Sequence, residues 1–108
     1  MFEILFRSTL WLYEGAGAWY FVTVPADLSA RIHAAARGKA RAWGSLPVTA
    51  RIGGTRWKTS VFWDRKRAAY LLPVKAAVRA KEQLRAGDLP EVMLVPKFAV
   101  EGDGDDEA

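Results

Sequence analysis

Along residues 2 to 13 the side chains alternate. Phe2, Ile4, Phe6, Ser8, Leu10 and Leu12 fall on one side and Glu3, Leu5, Arg7, Thr9, Trp11 and Tyr13 on the other, the period-two pattern of a strand whose first set faces a core. Glu14-Gly15-Ala16-Gly17 supplies a turn, and Ala18 to Val24 is a second strand rich in aromatic and β-branched residues, so the pair predicts a hairpin. Pro25 stops it. The period then changes: over residues 26 to 38 Leu28, Ile32, Ala35 and Ala36 form one stripe of a helix, with Pro25 and Asp27 at its start and Gly38 at its end. His33 lies on the flank of that helix, off the stripe, where a surface position is expected.

Leu46 to Ile52 and Thr55 to Phe62 predict two strands joined by Gly53-Gly54 as a two-residue primed turn. Such a loop fixes the register: Ile52 faces Thr55, Arg51 faces Arg56, Ala50 faces Trp57, Thr49 faces Lys58 and Pro47 faces Ser60. One face, running from Leu46, Val48, Ala50 and Ile52 to Thr55, Trp57, Thr59 and Val61, is core. Residues 64 to 67 predict a polar loop, 69 to 74 a strand, and 75 to 85 a short helix with Val74, Ala77, Val78 and Leu84 on its apolar side. Lys81 falls within that apolar arc, and Gly87 is expected to cap the helix. Glu91 to Val100 predicts a final strand, with Pro90 and Pro96 pointing to an edge or a bulge.

Both halves read hairpin, strand end, helix. A shift of 50 residues lays Tyr20 to Leu28 over Tyr70 to Val78, Thr9 over Thr59, Ala18 over Ala68 and Ala30 over Ala80. This leaves open an internal duplication or the same secondary structure used twice. The expected fold is mainly β with two short helices: a small closed β-barrel, which removes exposed edges, built from two β-β-α units.

Composition changes the picture mainly by exclusion. The 108 residues contain no cysteine and one histidine, which removes thiolate chemistry and makes His-based metal sites and Ser-His-Asp triads poor readings. No apolar run reaches the roughly 20 residues that span a bilayer, and the N-terminus lacks the layout of a signal peptide. A cytoplasmic protein with no membrane contact is expected. The net charge of +4 is divided: residues 101 to 108 carry five acids and no base, leaving sixteen bases against seven acids in residues 1 to 100. The acidic tail, spaced by glycine, is expected to be disordered, and residues 1 to 100 to form a single domain. Nine of the bases fall between Arg37 and Arg67, with Asp64 the one acid among them.

The outward face of the central hairpin is basic and hydroxylated: Thr49, Arg51, Arg56, Lys58 and Ser60. Arg51 opposite Arg56 is a like-charge pair that an anion relieves, with two guanidinium forks suited to phosphate; the other reading is a solvated face with charges splayed into water. Lys75 and Arg79, one turn apart, repeat the anion pattern, and Glu82 is placed to pair with Arg79. Trp57 is assigned to the core, and Trp11 and Trp19 to packing within strands. Trp43 in the basic loop and Trp63 beside Arg65-Lys66-Arg67 are the two tryptophans that could present a ring beside positive charge; the other reading, and the preferred one, is packing at the rim of the core or a dimer contact. No catalytic constellation is found, Ser60 having no identifiable base, and no cofactor or metal is called for.

Ile52-Gly53-Gly54-Thr55-Arg56-Trp57-Lys58-Thr59-Ser60, then Tyr70-Leu71-Leu72-Pro73-Val74-Lys75 with Val78-Arg79 and Gly87-Asp88, preceded by Trp19, Phe21, Val22 and Pro25, resemble the bacterial domain of unknown function numbered nineteen hundred and five. Two departures stand out: Trp63 where relatives tend to have proline, and Ala68-Ala69 in place of a glycine-bearing turn, both bearing on the conformation of residues 62 to 69. The resemblance implies a double-split β-barrel, the architecture of AbrB-type regulators and MazE-type antitoxins that bind DNA as intertwined dimers, and it implies no established activity. Three functions follow as expectations. The first is a non-catalytic, homodimeric module binding nucleic acid or another polyanion through the basic hairpin. The second is a protein or enzyme taking a phosphorylated or carboxylated metabolite in a pocket shared by Thr59, Ser60, Lys75 and Arg79, and the third is a protein-interaction module.

Overall fold

A computed structural model describes residues 3–15, 17–36 and 44–98. The elements are β1 (Ile4–Arg7), β2 (Leu10–Glu14), β3 (Ala18–Thr23), α1 (Ala26–Ala35), β4 (Ser45–Ile52), β5 (Thr55–Asp64), β6 (Ala69–Pro73), α2 (Ala76–Glu82) and β7 (Glu91–Pro96). The strands form one antiparallel sheet in the order β1-β7-β4-β5-β6-β3-β2, curled into a half-barrel. Its concave side buries Ile4, Phe6, Leu10, Val22, Leu46, Val48, Ala50, Trp57, Val61, Leu72, Val92 and Leu94, and α1 and α2 add Ile32 and Val78. A mainly β chain with two helices is therefore found.

The central hairpin has the expected register throughout, from Ile52 opposite Thr55 to Ser45 opposite Phe62. Gly53 has φ +58°, as the first position of a type II′ turn requires. Its missing side chain also leaves room for the Glu82 carboxylate, which a Cβ there would overlap. Thr55 donates its hydroxyl to the same carboxylate at 2.5 Å, so the turn is pinned to the end of α2.

Several expectations are corrected. The first strand is broken at Ser8-Thr9, where pairing switches from β7 to β3; Ser8 N–H donates to Pro90 O (3.4 Å) and Leu10 N–H to Asp88 O (2.9 Å). Beyond the switch Leu12 is exposed. β7 is not an edge: it lies between β1 and β4, and Pro96 is tolerated as its last residue, after which Lys97 N–H donates to Pro47 O at 2.8 Å. α2 stops at Gln83, which takes the left-handed conformation (φ 55°) that Gly87 was expected to supply. Gly87 instead belongs to a turn docked on β2, its N–H donating to Leu10 O at 2.8 Å. Being so short, α2 buries only Val78, and Ala77 and Lys81 both face solvent, as does Ala35 of α1.

The buried polar residue of α1 is Ser29. Its hydroxyl donates to Val24 O (2.9 Å) and accepts from Tyr70 N–H (3.0 Å), closing the ladder where β3 and β6 cross. There Val24 N–H donates to Tyr70 O and Val74 N–H to Tyr20 O, both at 2.9 Å. The 65 to 68 turn departs from easy geometry in one place: Ala68 has φ 51°, a left-handed conformation in which a Cβ is strained. Ala68→Gly is expected to stabilise the fold by about 1 kcal/mol in urea denaturation. Ser29→Ala is expected to destabilise it by about 1–3 kcal/mol, because the Tyr70 N–H is left buried and unpaired; a change under about 0.5 kcal/mol contradicts the role given to Ser29.

Candidate anion-binding cleft

On the outward face of the β4-β5 hairpin, Arg51, Arg56 and Lys58 are exposed and Thr49 and Ser60 half-buried. Arg51 does lie opposite Arg56, yet its Nε donates to Gly53 O at 3.3 Å. The depression beside it also carries Glu82 and Glu91, so carboxylates share the place an anion would take.

Lys58 has different company. Where β5 passes the start of α2, Lys58, Thr59 and Trp57 meet Lys75, Ala76 and Arg79, and Ala18, Trp19 and Tyr20 of β3 complete a cleft of about 420 Å³. Among the described residues, three cationic side chains line it and no carboxylate does. The backbone dictates this convergence. Pro73 and Val74 end β6 against β3, Lys75 turns the chain into α2, and one turn later Arg79 comes back over the strand end. Arg79 Nε donates to Val74 O at 3.1 Å, and its guanidinium carbon sits 3.8 Å from the Tyr20 ring centroid. The side chain is thus held half-buried with one donor used, and its two terminal amino groups remain for a ligand. Arg79 does not pair with Glu82, whose carboxylate accepts from Thr55.

Of the residues singled out from sequence, the structure brings Lys58, Lys75 and Arg79 into one cleft with Thr59. Ser60, Thr49, Arg51 and Arg56 remain on the open hairpin face outside it. Trp43 lies outside the described residues. Trp63 does not present a ring beside positive charge: it turns under α1, with ring centroids 4.0 Å from His33 and 5.0 Å from Tyr70. The cation of that loop goes elsewhere, Arg67 lying 4.6 Å over the Trp11 ring. Trp19, expected to be packed, is 52% exposed and forms a wall of the cleft. Parity carries a signal for it, since Trp11 and Tyr13 of β2 and Trp19 and Phe21 of β3 all take the outward positions that a half-solvated sheet gives to polar residues.

Trp11, Tyr13, Trp19, Phe21, Phe62 and Leu71 line a second, apolar depression, bounded by Asp64 and Arg67. Arg67 and Lys66 N–H both donate to the Asp64 carboxylate, and the Arg67 hydrogen bond foremost holds that carboxyl below its usual range. Burial pushes the Tyr70 phenol up. Among the described residues no group of three or more His, Cys, Asp or Glu is placed to hold a metal ion, and no helix is long and apolar enough to cross a membrane.

Fold and cleft together define a small, mainly β protein with a cationic depression at one end of its sheet. Residues 6–94 match the family described as Domain of unknown function (DUF1905), and the chain belongs to that family, as the Ile52 to Ser60 and Tyr70 to Lys75 elements imply. No curated protein matches the chain.

Arg67→Ala is expected to return the Asp64 carboxyl upward toward its ordinary value, read by carboxyl NMR titration. The sign for stability follows: a carboxyl held low in the folded state contributes above the ordinary aspartate range, and the contribution disappears as pH falls through its folded-state value.

Proposed function

We propose that this protein is a non-catalytic binding protein whose cleft takes a phosphate-bearing anion. The observation that carries the reading is the meeting of Lys58, Lys75 and Arg79 in one concave site with no carboxylate among the described residues. Three cations so placed repel one another until an anion neutralises them, and hydrogen bonds between ionised partners are the stronger kind. The lining supplies no carboxylate or imidazole to move a proton, which favours binding over catalysis. A polyanion extends from the cleft onto the hairpin through Lys58 and Arg56, two residues apart on the same face of β5.

The same reading takes the half-barrel as a closed double-split barrel of two β-β-α units. β1 and β2, at the two ends of the sheet order, are halves of one split strand, and the bonds at the β3-β6 crossing repeat at a shift of 50 positions. Val24 N–H to Tyr70 O matches Val74 N–H to Tyr20 O, and the Ser29 hydroxyl on Val24 O matches Arg79 Nε on Val74 O. In the first unit the position holds a small buried serine, and the neighbouring depression is lined by Ala26, Ala30, Ala34 and Ala68 with His33 and Trp63. Beside Arg79, the position matching Ser29, the second unit instead gathers Lys58 and Lys75 in the cationic cleft, a difference that supports a binding role there.

In an NMR titration with pyrophosphate at low salt, saturable shifts are expected at Trp19, Thr59 and Lys75 to Arg79, beyond those from chloride at equal ionic strength. Lys75→Gln and Arg79→Ala are each expected to weaken binding about tenfold or more, from the roughly 1.5–3 kcal/mol of a charge-assisted hydrogen bond, and Arg51→Ala to change it by less than about threefold. Absence of saturation, or shifts centred on Arg51, overturns the proposal.

A further inference from the structure

Trp19 is a wall of two depressions at once. On one side lies the cleft with Lys58, Lys75 and Arg79, and on the other the apolar depression formed with Tyr13, Phe21 and Phe62. Trp19 and Phe21 stack with centroids 6.0 Å apart and planes 7° from parallel, and Tyr13 stands edge-on to Phe21 at 6.2 Å. Tyr13 and Trp19 are direct cross-strand partners. These are not rings hidden in a core: Trp19 is 52%, Tyr13 47% and Phe62 42% exposed.

Aromatic side chains carry about 150–250 Å² each, so the open parts of these three rings amount to roughly 300 Å². That falls well below the roughly 800 Å² per partner of a stable protein interface, which argues against a second copy of the chain seated on this face alone. Flat, open, pre-stacked rings bordering a carboxylate-free cationic cleft instead match a ligand whose planar apolar groups alternate with negative charges. The one acid bounding the apolar depression, Asp64, is already paired with Arg67.

Resting on the anion-binding reading, we infer that the ligand is unpaired nucleic acid, with phosphates in the cleft of Lys58, Lys75 and Arg79 and bases stacked along Trp19 and Tyr13. Duplex fits poorly, because its bases are already stacked on one another and leave no face for the rings. Ribose and deoxyribose strands share the recognised chemistry.

The test is fluorescence anisotropy on the full chain with four labelled 12-mers: dT12, rU12, a deoxyribose-phosphate 12-mer lacking bases, and a duplex. Both single strands are expected to bind, the baseless strand and the duplex at least tenfold more weakly; the ratio of dT12 to rU12 affinity assigns the natural sugar. Trp19→Ala is expected to weaken dT12 about five- to hundredfold, the range for one stacked base, and to weaken the baseless strand by a smaller factor. Trp19→Phe restores most of the loss, which separates stacking from a folding defect. Lys75→Gln flattens the salt dependence by about 0.7 in log–log slope, one phosphate contact on a single strand. If the baseless strand binds as well as dT12, or if pyrophosphate saturates the cleft and no oligonucleotide binds, the inference is overturned while the anion-binding reading stands. If neither pyrophosphate nor any strand binds, both fall. A Trp19→Ala variant that turns a dimer into a monomer by light scattering while binding dT12 unchanged also overturns the inference, making the face a contact between copies.

Discussion

The crossing of β3 and β6 is the constraint on which the rest of the structure depends. Val22 opposite Leu72 sits at its centre, both fully buried, and only three residue pairs make up the ladder, flanked by the reciprocal bonds of Val24 and Val74 to Tyr70 and Tyr20. Such short pairing is held by side chains. Ser29 reaches back to Val24 O and also takes the Tyr70 N–H, and Arg79 reaches back to Val74 O. Each bond contributes modestly, yet leaving a buried partner unmade costs more than making it gains. Both helices must therefore begin where they do, and with them the two sides of the molecule are set: His33 and Trp63 over Tyr70, Arg79 over Tyr20.

What could be read from the sequence was the local part of this arrangement. Gly53-Gly54 between alternating strands admits one register, and every pair of the hairpin follows from it, including Arg51 against Arg56 and Trp57 turned inward. Strand pairing between distant segments was not legible. Nothing near Pro90 or Pro96 says that β7 will lie between β1 and β4, because proline at a strand's ends is compatible with either an edge or an interior. Nor does the alternation of residues 2 to 13 reveal the break at Ser8-Thr9: the parity continues across it while the partner strand changes. Nor does any local pattern single out Ser29, since only the crossing of two strands beneath α1 supplies the carbonyl and N–H that make burial of its hydroxyl favourable.

The candidate site divides in the same way. Lys75 and Arg79 were recognisable as a pair because helical spacing places them together, whereas Lys58 joins them only through the packing of α2 on β5, which no local pattern encodes. Arg51 and Arg56 met as expected, but their surroundings include Glu82 and Glu91, contributed by elements far along the chain. Charge counting along the chain therefore identifies candidate residue types, but not which of them the fold gathers into one depression. For Trp63 the fold takes the packing alternative. Asp64 and Ala69 close β5 onto β6, which carries Trp63 inward to Tyr70 and leaves Arg67 to cover Trp11.

The two sides of the crossing complete the same ladder in different ways. On the α1 side the hydroxyl that completes the ladder is short and buried, and the depression beside it is lined by exposed alanines with His33 and half-buried Trp63, with no Lys, Arg, Asp or Glu among the described residues of its lining. On the α2 side the same carbonyl is reached by a long cationic side chain supported on an aromatic ring, an arrangement with no packing advantage over serine. Holding Arg79, Lys75 and Lys58 near one another raises their mutual repulsion, and leaving Trp19 half exposed forgoes burial of the largest side chain on the strand. A long cationic side chain and an open aromatic ring gathered at one strand end, where a short buried hydroxyl serves the other, are features that packing alone does not call for.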